Sequence, residues 1–92
     1  MSFHVYILRC ADDTFYTGYT DDLTKRVAVH NGELPGATSK YTRSRRPVEL
    51  VYSEGFKTKS DAMKREAALK RLSRQQKEVL ISSAPRGFSS GP

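Results

Sequence analysis

Phe3–Cys10 reads FHVYILRC and Phe15–Tyr19 reads FYTGY, with the polar run Ala11-Asp12-Asp13-Thr14 between them. β-Branched and aromatic residues fill both stretches, and the acidic, hydroxyl-bearing link supplies turn chemistry, so the segment predicts a β-hairpin. Strand alternation sets Phe3, Val5 and Ile7 on one face of the first strand and His4, Tyr6 and Leu8 on the other, while Tyr16 and Gly18 share a face of the second. Whether Tyr6 and Tyr16 share a sheet face depends on the register, which the sequence leaves open.

After the hairpin, Thr20, Asp21 and Asp22 are N-cap candidates for a helix over Leu23–His30, which meets no breaker until Asn31-Gly32. From Glu33 to Arg46, Pro35, Gly36 and many hydroxyl and basic residues follow without a period, which reads as a loop. Pro47–Phe56 (PVELVYSEGF) reads as a third strand. Thr58 or Ser60 caps a second helix running to about Leu72, and Ser73-Arg74-Gln75-Gln76 fits a capping box that opens a third helix over Arg74–Ile81. The order β-β-α-β-α-α predicts an α+β fold, a small three-stranded sheet, antiparallel or mixed, flanked by helices. Residues 1–81 are expected to form a single domain, and the Ser-, Gly- and Pro-rich residues 82–92 a disordered tail.

The chain has 92 residues, room for one small core. Its single cysteine, Cys10, excludes an internal disulfide and a cysteine-based zinc site. No apolar run is long enough to span a bilayer and no secretory leader is evident, so a cytoplasmic protein is expected. Sixteen Lys and Arg against ten Asp and Glu give a formal charge of +6, which favours a polyanionic partner. The excess is local: residues 1–36 carry three basic and five acidic side chains, residues 37–77 twelve and four. Lys40, Tyr41, Arg43, Arg45 and Arg46 place four cations and an aromatic within seven residues, a combination suited to phosphate contacts and base stacking. Without an apolar helical face or lipidation signal, that loop suits nucleic acid better than a membrane.

Two helical positions are chemically conspicuous. Arg26 and His30 stand four apart at the edge of the stripe formed by Leu23 and Val27, so they can converge on one anion. Taken alone, His30 is ordinarily a satisfied helix-end histidine and Arg26 a surface cation. Glu66 falls between Ala62 and Leu69 in the apolar stripe of the second helix, with Met63 nearby on the same side and Lys64 and Arg71 pointing away. A carboxylate there requires an ion pair, with Arg26 one candidate, or a metal; the residues do not choose between the two.

His4-Val5-Tyr6-Ile7, Tyr16-Thr17-Gly18, Arg26-Val27-Ala28-Val29-His30 and the later helical Glu66, in this spacing, resemble the GIY-YIG nuclease superfamily, in particular its small stand-alone bacterial-type branch. The resemblance spans residues 2 to 81. His4 stands at the glycine position of the first triplet and Thr17 at the isoleucine position of the second. The resemblance implies an endonuclease that hydrolyses DNA phosphodiester bonds with Mg²⁺ or Mn²⁺, in repair or recombination. Carried over by position, Tyr6 is the general base on the attacking water and Tyr16 orients the water or phosphate. Gly18 lets the backbone pass close to the site, Arg26 stabilises phosphate charge, His30 assists proton transfer or phosphate positioning, and Glu66 is the single protein ligand of the metal. DNA is the expected partner, with RNA not excluded, and the protein is expected to be a monomer. No fused DNA-binding domain is expected in a chain of this length, so specificity is expected to come from the basic loop, the second helix face or a partner protein. The competing readings are a nucleic-acid-binding module of the same fold with little or no catalysis, and an interaction domain that delivers a partner nuclease.

Overall fold

In the computed structural model, residues 2–36 and 40–83 are described. Strands β1 (Phe3–Arg9), β2 (Phe15–Thr20) and β3 (Glu49–Phe56) form one antiparallel sheet in the order β2-β1-β3. The helices are α1 (Leu23–His30), α2 (Lys40–Arg43), α3 (Lys59–Lys70) and α4 (Arg74–Ser83). The expected α+β architecture is therefore present, with the sheet wholly antiparallel.

The hairpin closes through Asp12, whose carboxylate accepts from Thr14 N at 3.2 Å and Thr14 Oγ1 at 2.6 Å. Its register pairs Tyr6 with Gly18 and Leu8 with Tyr16, which puts Tyr6 and Tyr16 on one face. On the opposite face Val5, Ile7 and Tyr52 are buried against Ala62 and Leu69 of α3. Thr17 also belongs to that apolar face, being paired with Ile7, and its buried hydroxyl has no hydrogen-bond partner among the described residues.

Local signals fix the helix starts. Asp22 caps α1 by accepting from Lys25 N at 3.0 Å, and Thr58 caps α3 by accepting from Asp61 N at 3.1 Å. The capping box at α4 is reciprocal: Ser73 N donates to Gln76 Oε1 at 2.9 Å and Gln76 N to Ser73 Oγ at 3.2 Å.

Three differences from the sequence reading concern the same kind of residue, one whose setting is fixed by tertiary contact. The stretch expected to be loop contains the single-turn helix α2, held by Arg45 N donating to Thr42 O at 3.0 Å. Met63 is exposed, because α3 meets the sheet along the narrow line of Ala62, Glu66 and Leu69, and residue 63 lies 100° round the helix from residue 62. Helix α4 continues through Ser82 and Ser83, past the expected start of the tail; residues 84–92 lie outside the described residues. No helix among the described residues is long and apolar enough to cross a membrane.

Candidate active site

The site lies on the sheet face opposite α3. Tyr6 projects from the central strand β1 and lies across Gly18 of the edge strand β2. A Cβ on residue 18 would stand 2.6 Å from Tyr6 Oη and 2.8 Å from its Cζ, so only glycine leaves room for the phenol. The notion that Gly18 serves backbone approach thereby takes a specific form: it seats the Tyr6 ring over the sheet edge.

Helix α1 brings His30 to this ring. Tyr6 Oη and His30 Nε2 are hydrogen-bonded at 3.0 Å, and Arg26, one turn earlier on α1, donates from Nε to the same oxygen at 3.5 Å. His30 Nδ1 is hydrogen-bonded to Thr42 Oγ1 of α2 at 2.8 Å. Tyr6 is 1% exposed, and His30 and Thr42 are fully buried. Tyr16 closes the group from β2, its ring 5.2 Å from that of His30 and 6.5 Å from that of Tyr6.

The end of α1 is fastened so that His30 cannot drift. Arg46 Nε donates to the His30 carbonyl at 2.6 Å, a cation on a helix C-terminus. Asn31 pairs with the backbone of Val48 through both side-chain atoms, accepting from Val48 N at 2.7 Å and donating to Val48 O at 3.0 Å. Gly32, at φ 78°, turns the chain away where a Cβ would meet the Arg46 guanidinium at 2.9 Å.

Burial sets the resting protonation of the network. It raises Tyr6 to about 12, against the lowering effect of Arg26, with Tyr16 and the Glu66 carboxylate adding to the rise. It lowers His30 to about 4, assisted by the positive charges of Arg26 and Arg46. At neutral pH the pair is therefore a phenol and a neutral imidazole.

Glu66 occupies the stripe position expected of it, its side chain 19% exposed, and it pairs with Lys70 one turn on at 3.6 Å. It reaches Tyr6 electrostatically from the α3 side of the sheet edge. No cluster of three or more His, Cys, Asp or Glu side chains that could hold a metal occurs among the described residues. Arg26, half-buried, also lines an open cleft with Phe3, Tyr19, Thr20, Asp21 and Lys59.

The five basic-loop residues divide into two groups. Lys40 and Arg43 are exposed cations. Arg45 is engaged in the fold, donating to Asp12 at 2.9 Å and to the Tyr41 carbonyl at 2.9 Å, with its guanidinium 4.0 Å above the Tyr41 ring. Tyr41 stacks in turn on Tyr16 at 6.2 Å, and Arg46 holds the α1 terminus. Thr42 is the site residue that the sequence reading missed. A buried imidazole needs partners at both nitrogens, which calls for a nearby hydroxyl, but the hydroxyls at 38, 39, 42 and 44 look alike in the sequence.

Comparison with known proteins agrees with the fold. The family model described as the GIY-YIG catalytic domain matches residues 2–79. A UPF0213 protein of Halobacterium salinarum is 54% identical over 78 residues, covering 85% of this chain and 97% of the relative. One from Staphylococcus saprophyticus is 52% identical over 79 residues, covering 86% and 93%. The solution NMR structure of the UPF0213 protein from Bacillus halodurans superposes with a TM-score of 0.60 at 40% identity, over 99% of this chain and 94% of that one. That of a protein from E. faecalis gives 0.59 at 37% identity, over 90% and 85%. With these matches spanning nearly all of the described chain, the protein belongs to the GIY-YIG family, a nuclease superfamily, within its small stand-alone UPF0213 group.

Proposed function

We propose that this protein is a divalent-metal-dependent endonuclease that hydrolyses DNA phosphodiester bonds and serves DNA repair or recombination. The observation that carries the reading is the convergence of Arg26 and His30 on the Tyr6 hydroxyl, with the Tyr16 ring packed against His30 and the Glu66 charge felt at Tyr6. A protein that merely packs has no need of a histidine and an arginine on the same buried phenol.

In this reading Arg26 spans the buried network and the open cleft, and its guanidinium stabilises charge on the phosphate where that charge grows. Tyr16 orients the water or the phosphate. Tyr6 begins as a phenol, so it accepts the proton of the attacking water as its own passes to His30. The negative charge of the incoming phosphate favours that transfer, because it raises the proton affinity of the imidazole. Glu66, the half-buried carboxylate beside the network, fits a hard cation that takes its remaining ligands from water and phosphate oxygens. Mg²⁺ or Mn²⁺ held there would supply charge neutralisation at the phosphate and the leaving oxygen. Lys40 and Arg43 give the DNA backbone exposed charges to meet, and Tyr41, its ring already engaged by Arg45 and Tyr16, an exposed edge, while Arg45 and Arg46 contribute charge from fixed positions.

The burial of Tyr6 favours a second reading, a nucleic-acid-binding module with little or no catalysis, since a phenol near 12 stays protonated at neutral pH and is not free to act as a base unless substrate changes its surroundings. Incubation of the purified protein with plasmid, single-stranded and branched DNA, and RNA, with Mg²⁺, Mn²⁺ or chelator, separates the two. We expect metal-dependent DNA cleavage that falls by about 10²-fold or more in Glu66→Gln and Arg26→Ala while DNA binding persists. Binding without cleavage of any substrate establishes the second reading, and equal activity in Glu66→Gln removes the carboxylate from the mechanism.

A further inference from the structure

We propose that Thr42 is a positioning residue that holds His30 as its Nδ1–H tautomer, so that Nε2 is kept bare as the acceptor for the Tyr6 hydroxyl hydrogen. The inference rests on the nuclease reading for its purpose, but its geometry stands independently.

The argument is one of donor and acceptor inventory. Among the described residues Tyr6 Oη has two polar neighbours within hydrogen-bond distance, Arg26 Nε at 3.5 Å and His30 Nε2 at 3.0 Å. A guanidinium only donates, so it occupies a lone pair of the oxygen and offers no place for the phenolic hydrogen. That hydrogen must go to His30 Nε2, because an unsatisfied buried O–H is costly. A neutral imidazole that accepts at Nε2 carries its hydrogen on Nδ1, and Nδ1 faces Thr42 Oγ1 at 2.8 Å. The threonine oxygen therefore accepts. The chain of donors runs Tyr6 Oη–H to Nε2, then Nδ1–H to Thr42 Oγ1, all in one direction. Burial keeps the imidazole neutral at assay pH, as the inventory requires.

The partner is held as firmly as the histidine. Thr42 is fully buried on α2, its carbonyl takes the Arg45 amide, and Arg46 just beyond binds the His30 carbonyl. Loss of the Thr42 oxygen would strand Nδ1–H in the interior. The imidazole relieves this by moving its hydrogen to Nε2, which then opposes the Tyr6 hydroxyl and blocks the outlet for its proton.

The test uses the full chain labelled with ¹⁵N. Long-range ¹H–¹⁵N spectra report the tautomer of each histidine ring directly, and His4→Gln assigns the two signals. Wild type and Thr42→Ser are expected to show protonated Nδ1 and bare Nε2 at His30, whereas Thr42→Val, checked for a native amide spectrum, moves hydrogen onto Nε2. In cleavage assays Thr42→Val should lower kcat by about tenfold or more with KM changed by less than about twofold, and Thr42→Ser should restore the wild-type rate. Protonated Nε2 in wild type overturns the proposal, as does an unchanged tautomer in a folded Thr42→Val. If Thr42→Val does not fold, the wild-type and Thr42→Ser tautomers decide it. The tautomer is read without turnover, so a protein that cleaves nothing would refute the nuclease reading and leave this result intact.

Discussion

On one face of the sheet Val5, Ile7 and Tyr52 meet Ala62 and Leu69 of α3; on the other, Tyr6 meets a histidine, an arginine and, through the histidine, a threonine. Both faces are buried, and adjacent residues of the same strand serve them. The first face gains stability from apolar area and close packing. The second spends buried volume on polar groups that must satisfy one another, an arrangement that yields little net stability and much positional precision. Its members come from β1, β2, α1 and α2, so a change in any one of these elements moves the group. The apolar face holds the sheet together; the polar face determines where one hydroxyl stands.

The sharpest way to break the comparison is to damage the apolar face alone. Leu69→Ala removes a fully buried side chain, and we expect a loss of about 2–5 kcal/mol in urea unfolding. The folded fraction should keep the His30 tautomer and, where cleavage is measured below the unfolding midpoint, its rate. A Leu69→Ala protein of unchanged stability but reduced rate would mean that the two faces are not separable.

The polar face has its own stability signature, in acid. His30 titrates near 6.5 in the unfolded chain and near 4 in the fold. Between those values the unfolded state binds a proton that the folded state does not, so this contribution is intact above about pH 6.5 and is lost as pH falls toward 4. The gap is worth about 3 kcal/mol at about 1.4 kcal/mol per pH unit. Unfolding curves at pH 7 and 4.5 should show wild type losing more stability than His30→Gln; parallel losses would mean that the imidazole is not kept neutral by its surroundings.

The smallest effect runs the other way. Thr17 places on the apolar face a buried hydroxyl with no partner among the described residues, so Thr17→Val should gain about 1 kcal/mol with the cleavage rate unchanged. A loss of stability would show that the hydroxyl has a partner.

What the sequence revealed follows the same division. Helix caps at Asp22, Thr58 and Ser73 and the stripe of Ala62, Glu66 and Leu69 are local matters of spacing, and they were legible. The motif residues were legible as a set because their spacing resembles a known family. Their assembly was not, because it depends on the Tyr6–Gly18 register and on a single-turn helix inside a cationic run with no period of its own. For the same reason Arg45 and Arg46, read as part of a DNA-binding loop, turned out to hold Asp12, Tyr41 and the end of α1 as well. Thr42 could be found only after His30 was seen to be buried.

The central claim is that the polar face exists for chemistry at the Tyr6 hydroxyl, and Tyr6→Phe tests it most directly because it deletes one oxygen and keeps the ring over Gly18. Single-turnover DNA cleavage with Mg²⁺ or Mn²⁺ and urea unfolding are measured on the same preparation. The account predicts cleavage reduced by about 10²-fold or more, alongside a stability loss of only about 1–3 kcal/mol from the unpaired His30 nitrogen. A folded Tyr6→Phe protein that cleaves DNA at the wild-type rate would contradict it.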